Sequence, residues 1–409
     1  MMSLLSIVLI VFACLLTLCV SYLLALAAVY FFVPDLQVPR MPPGKRFSVL
    51  IPAHNEELII ATSLQSWIQV DYPKEKFQLH VIADNCSDRT IEIARSLGAS
   101  VWDRQDYENR GKGQALAWAL QTIELSQTDA VVIVDADTTV DPDYLKIMND
   151  RLVRGGKVIQ GYDGVMNPYE SAMTCLMQIT NVMKNLLFNY AKSKVGLSVQ
   201  LMGTGMCLEK DVLKQIGWKA FSIGEDGEQF AHLAKAGIQV EFEPRARVFA
   251  QEASSFGQAY TQRVRWSAGR MQLSGLGVHL LVDGVRQRNV HLMDAAMTFL
   301  LPNYAMLANL TIGCLILIAV VDLPARMMLA IWFGALLLGQ ILYLLLGIVV
   351  AKPSKKVLLS LTFAPAFLIW KVMIDLVSVA HLRQSTWVRT RRESSAIDPL
   401  PPPKVGKKP

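Results

Sequence analysis

The chain has 409 residues, enough for one large domain with membrane helices or for two modest domains. It is 52% apolar with a mean hydropathy of +0.33, which excludes an ordinary soluble composition. The net charge of +6 matters mainly near a membrane, where Lys and Arg attract anionic lipid, and nothing points to nucleic-acid binding.

The apolar excess lies at the two ends. Residues 1–34 carry no charge and are long enough to cross a bilayer as a helix. Ala25-Leu26-Ala27 resembles a cleavage site, but no Lys or Arg precedes this long run, so it reads as an anchor rather than a signal peptide. Arg40, Lys45 and Arg46 follow directly and place the next domain in the cytoplasm, with the anchor in the plasma (inner) membrane. Residues 47–51, 77–83 and 130–134 read as buried strands, alternating with helices over 57–69, 89–97 and 113–125. This alternation predicts a mainly parallel sheet with helices on both faces. Ligands in such folds bind beyond the carboxyl ends of the strands, where Asp84 and Asp135 fall.

Segments 168–191 and 254–281 read as membrane-surface helices, the second carrying Arg263, Arg265 and Arg270. Packing on the sheet explains the first equally well. The apolar runs 295–321 and 327–351 are each long enough to span, and the basic loop 352–356 returns the chain to the cytoplasm. Lys371 and Asp375 interrupt 357–381, four residues apart on one helical face. Basic residues flank that segment on both sides, so a re-entrant or interfacial path suits the orientation rule better than a third crossing. The tail 393–409, with its Pro- and Lys-rich end, is expected to be disordered. The domains expected are therefore an anchor (1–34), a catalytic domain (35–253), an interfacial region (254–290), two transmembrane helices (291–351), an ambiguous segment (352–392) and the tail. The six cysteines are scattered without ligand-like spacing, consistent with a reduced domain.

Asp135-Ala136-Asp137 follows the third strand. Two carboxylates so spaced can hold Mg²⁺ or Mn²⁺ together with substrate phosphates, although a solvated turn is the plainer reading of the tripeptide alone. Asp84 to Asp88 suits a turn and a helix N-cap as well as a ligand contact. Lys112 lies between two glycines at a helix start, a place for an anion or simply a solvated helix end. Glu225-Asp226 opens another helix, where acids also favour the dipole. In Gln262-Arg263-Val264-Arg265-Trp266, positions 262, 265 and 266 share a helical face. That face offers an amide, a guanidinium for diphosphate oxygens and an indole for stacking on a sugar, while Arg263 points elsewhere, towards lipid phosphates.

Singly these signals are weak. In this order, over about 47–270, they resemble processive-type family 2 glycosyltransferases, the group of cellulose, hyaluronan and poly-N-acetylglucosamine synthases. The resemblance implies a GT-A-type (Rossmann-like) α/β domain that takes a nucleotide-sugar donor, typically a UDP-sugar. It implies that Glu56 and Asp84 hold the base, that Lys112 lies near the diphosphate, and that Asp135 contacts nucleotide and, with Asp137, metal. Asp226 would be the base that deprotonates the acceptor, supported by Glu225. Gly203 and Thr204 would line the acceptor site, and Gln262, Arg265 and Trp266 would complete the diphosphate and acceptor sites. Members often carry Thr before the Glu-Asp pair; here Gly224 stands there, which puts any contact from that hydroxyl in doubt. The implied reaction is inverting transfer to a growing β-linked polysaccharide, with a glycolipid synthase resembling ceramide glucosyltransferases as the alternative and a non-catalytic membrane scaffold as the third. Because only three spans are firm, a polymer channel would call for a partner subunit or self-association.

Overall fold

The structure, a computed structural model, describes residues 3–380. Eight strands form one sheet: β1 Phe47–Ala53, β2 Phe77–Asp84, β3 Ser100–Arg104, β4 Ala130–Ile133, β5 Thr138–Val140, β6 Val158–Val165, β7 Met206–Glu209 and β8 Val240–Ala250. Their order is β3-β2-β1-β4-β7-β6-β8-β5. The first four run parallel, as the alternation implies. Beyond β4 the sheet is mixed rather than mainly parallel. β7 pairs antiparallel with both β4 and β6, and β5 pairs antiparallel with β8. The four residues of β7 leave too short a pattern to announce a strand.

β4 is buried along its whole length and β1 nearly so, as expected for strands covered on both faces. Alternate residues feed opposite cores. Leu50, Ile82, Val131 and Ile133 pack with Phe230 and Phe242 on one side. Val49, Ile51, Val81 and Val132 pack with Trp67 and Tyr144 on the other. The helix expected from residue 57 begins at Ile60. The Glu56 and Glu57 amides instead donate to Thr90 Oγ1 (2.8 Å) and Asp88 Oδ2 (3.1 Å), stitching the ends of β1 and β2 together.

The segment expected at the membrane surface from 168 is a continuous helix with a π-helical middle: Ala172–Val182, Met183–Tyr190 and Ala191–Lys194. It is a shared layer. Asn185 Nδ2 donates to Asp163 O of β6 at 2.8 Å, while Cys175, Ile179, Met183 and Leu187 join Leu16 and Val20 of helix Leu4–Phe32 and Phe333 of helix Arg326–Ala351 in one apolar cluster.

Helices Leu4–Phe32, Arg326–Ala351 and Lys355–Ala380 are long and apolar enough to cross a membrane. The run 295–321 is not one straight span. It divides into Val290–Leu300 and Tyr304–Val320, bent by 70°. Pro302 lies in the break, where it can neither donate to nor sterically continue a helix. Leu292, Ala295, Ala296 and Phe299 are buried in the core of the catalytic domain, so the beginning of the expected span belongs to that domain. Residues 381–392, the end of the ambiguous segment, and the expected disordered tail 393–409 lie outside the described residues.

Candidate active site

The parallel strands deliver their acids to one edge. Asp84 ends β2, and its carboxylate is buried against Arg104, the last residue of β3, with Nη1 2.5 Å from Oδ1. Asn85, at φ +52°, donates to the same oxygen at 3.0 Å. Arg104 continues to Asp106 Oδ2 (2.7 Å) and Asn109 O (2.8 Å), so it fixes both Asp84 and the loop that leads to Lys112. Arg104 escaped the sequence reading; the sign that could have found it is a cation at the carboxyl end of a parallel strand.

Lys112 begins helix Lys112–Thr122. Gly113 makes this approach possible, because a Cβ there would lie 2.1 Å from Ala220 O. The Lys112 ammonium lies 2.5 Å from Asp135 Oδ1, 3.4 Å from Glu225 Oε1 and 2.7 Å from Gly203 O. It therefore unites three of the motifs expected to form the site. Burial opposes its charge, but Asp135, Glu225 and Asp226 outweigh that and hold its pKa above the ordinary value.

Asp135 and Asp137 lie just past β4. The Asp135 amide donates to Thr204 Oγ1 at 3.2 Å, and Gln160, fully buried on β6, donates to Thr204 O at 2.8 Å and accepts from the Met202 amide at 2.9 Å. Thr204 thus positions the acidic tripeptide rather than only lining a cavity, and Gln160 is a second supporting residue that no motif announced. Gly203 has φ +78°, and a Cβ there would lie 3.4 Å from Lys112 Nζ and 3.6 Å from Asp226 Oδ2. The Gly203 backbone is thus packed against both charges. Gly203→Val is expected to destabilise the protein by about 1–3 kcal/mol through the left-handed backbone alone. Thermal melts, and donor binding weakened beyond what the melts explain, check this.

Glu225 and Asp226 open helix Glu225–Lys235, and the Gly227 amide donates to Asp226 Oδ1 at 2.7 Å. Burial first, then the neighbouring Glu225 charge, push the Asp226 carboxyl up to about 7. Burial, with the charge of Asp137, lifts Asp135 to about 6 despite Lys112. Gly224 has a local reason: a Cβ there would meet Leu273 Cδ1 at 2.7 Å, so a side chain would require Leu273 to move.

Leu273 belongs to helix Phe256–Gln287, which carries Gln262, Arg265 and Trp266. Gly269 of the same helix also faces the turn: a Cβ there would lie 3.7 Å from the Gly224 amide nitrogen. Positions 262, 265, 269 and 273 fall on one helical face, so Gln262 and Arg265 continue the face that packs on the acidic turn. Trp266 is 45% exposed. Arg263 is oriented otherwise than towards lipid phosphate: it pairs with Glu252 at 2.6 Å and its guanidinium lies 4.5 Å from the Trp266 ring centroid. Glu56, after β1, is half-buried at the same edge as Asp84.

The donor set fits a divalent cation. No group of three or more His, Cys, Asp or Glu side chains among the described residues could hold a metal alone. Asp135, however, stands in a site where it, Glu225 and Asp226 face one lysine, and the added charge of Asp137 helps make Asp135 reluctant to ionise. A Mg²⁺ or Mn²⁺ ion held by Asp135 and Asp137, with phosphate and water oxygens completing its shell, would relieve that excess.

A mixed sheet that gathers acids at the carboxyl ends of its parallel strands, facing an acid pair on a later helix, is a GT-A-type α/β fold. Residues 42–269 match the family described as "Glycosyltransferase like family 2", and the chain belongs to that family. Among curated relatives it is 28% identical over 238 residues to a probable glycosyltransferase, YdaM, of Bacillus subtilis, covering 55% of each chain. It is 28% identical over 236 residues to a beta-monoglucosyldiacylglycerol synthase of Trichormus variabilis, covering 55% of this chain and 49% of that one. A cellulose synthase catalytic subunit of Pseudomonas fluorescens is 22% identical over 246 residues, 58% of this chain and 33% of that one. The chain spans about half the length of the first two of these relatives. The fold is that of the mannosyltransferase PcManGT from Pyrobaculum calidifontis, solved with GDP-Man and Mn²⁺, at a TM-score of 0.52 and 20% identity over 88% of this chain and 99% of that one.

Proposed function

We propose that this chain is a membrane-anchored, inverting, metal-assisted glycosyltransferase that moves a sugar from a nucleotide diphosphate to an acceptor hydroxyl held at the membrane face. The observation that carries the reading is the convergence of Asp135, Lys112, Gly203, Glu225 and Asp226 at one place, beside a helix that continues to Arg265 and Trp266. Glu56 and Asp84 hold the base. Asp135 and Asp137 would hold Mg²⁺ or Mn²⁺, which would supply positive charge for the diphosphate. Lys112 and Arg265 add positive charge for the same oxygens. Asp226 accepts the acceptor's hydroxyl proton as that oxygen bonds to the anomeric carbon and the bond to the nucleotide diphosphate breaks. A carboxyl poised near 7 is a better base for this task than an ordinary one.

For the acceptor, a lipid is the first reading. The helix carrying Arg265 and Trp266 packs along an apolar helix of membrane length, and the glucosyldiacylglycerol synthase is nearer in sequence than the cellulose synthase. A β-linked polysaccharide is the second, favoured by the complete Gln262–Trp266 motif; that product would call for a partner subunit or self-association. The anchor would lie in the plasma (inner) membrane with the sheet in the cytoplasm, where nucleotide sugars are made.

The test is turnover of radiolabelled UDP- and GDP-sugars by the full chain in native-lipid nanodiscs with Mn²⁺ or Mg²⁺, beside Asp226→Asn and Asp137→Asn. One discrete lipid-extractable product is expected. A ladder of oligomers would establish the polymer synthase, and no consumption of any donor by folded protein would return the scaffold reading.

A further inference from the structure

We propose that the last apolar helix, Ala364–Ala380, is part of the active-site machinery: Lys371 and Asp375 act with Ser267 as positioning residues that hold Arg265 and Trp266 in place. This rests on the role proposed above for those two side chains. Lys371 and Asp375 are the only charged residues of that helix, and each is largely buried. They pair with each other, and both meet one hydroxyl on the facing helix: Lys371 Nζ donates to Ser267 Oγ at 2.8 Å, and Ser267 Oγ donates to Asp375 Oδ1 at 3.0 Å. Ser267 directly follows Trp266.

A second tie lies one turn away, where Ser378 Oγ donates to Val264 O at 3.1 Å. On the far side, Arg270 Nη2 donates to Leu301 O at 2.5 Å, at the break before Pro302. Polar contacts thus bracket the segment 264–270 from two membrane-side elements. An ion pair inside an apolar helix is a poor source of net stability, since leucine or methionine would fill the space at least as well. Its attested use is to fix register, and register is what Arg265 and Trp266 require. Ionisable residues within such segments are functional by default. A slip of the carrying helix by about 1 Å is enough to cost about 100-fold in rate.

The experiment compares Lys371→Met, Asp375→Asn and the exchanged pair Lys371→Asp/Asp375→Lys with wild type in nanodiscs, reading kcat, donor KM and amide exchange over 262–270. Each single variant is expected to lower kcat about 10- to 100-fold with little change in donor KM and to quicken exchange across 262–270. The exchanged pair is expected to recover most of both losses. Single variants whose turnover per folded enzyme and whose exchange match wild type would overturn the proposal, as would an exchanged pair no better than either single. Wild type that transfers no sugar, while both single variants still loosen 262–270, would refute the transferase reading and leave the tie between the helices standing.

Discussion

Asp226→Asn is expected to reduce kcat about 10²- to 10⁴-fold, the usual span for a positioned general base, while donor binding survives. Asparagine keeps the shape and can still accept from the Gly227 amide, so the loss isolates the proton transfer. The pH dependence follows from the same residue. Its carboxyl is raised from 3.8 to about 7, and the base must be ionised, so kcat/KM should climb with pH and level off above about 7. Stability should move the other way. A carboxyl whose folded pKa lies above its unfolded value favours the folded state fully below the unfolded value, and that contribution is lost as pH rises through the folded pKa. The melting temperature of wild type is therefore expected to fall from pH 4 to about 7 relative to Asp226→Asn, as activity appears. Differential scanning calorimetry beside a pH–rate profile checks both limbs, and a wild-type rate independent of pH over this interval would remove Asp226 from the role of base.

Arg104→Met should be the most damaging change for the fold of the site. The guanidinium and the Asp84 carboxylate are 4% and 10% exposed, so methionine would leave a buried acid with only Asn85 for company. Breaking such a pair from one side costs about 3–5 kcal/mol. Donor KM should rise as well, because the same guanidinium anchors Asn109 O in the loop before Lys112. The combined Arg104→Met/Asp84→Leu variant should regain much of the stability but not the donor affinity. Chemical denaturation and donor titration separate the two effects.

The first half of the sheet was legible because β1, β2 and β4 are largely apolar runs followed by acids, and βαβ repetition leaves few topologies open. The second half was not. β7 is four residues long, β5 is three, and β8 is interrupted by Pro244 and by charges at Arg245 and Arg247. The acids at 84, 135, 225 and 226 stood out through their order, yet their interdependence did not. That Lys112 bridges Asp135 and Glu225 depends on Gly113 and Gly203 admitting close backbone, which spacing along the chain cannot express. The 295–321 run hid its bend for a simple reason: apolarity is the same whether a helix suits a membrane or a domain core, so the pattern alone does not show the 70° break at Pro302 or the burial of Phe299 in the domain core.

That bend has a further result. Val290–Leu300 packs in the core beside the sheet, and the helix over 172–194 is shared with helix Leu4–Phe32, so two packed elements tie the catalytic domain to the apolar helices. On the function proposed above, the site would stand at a set height above the lipid, and substrates would be sorted by depth as well as by chemistry. A hydroxyl floating too high or lying too low in the headgroup layer would then miss Asp226, however well its sugar or glycerol would otherwise fit.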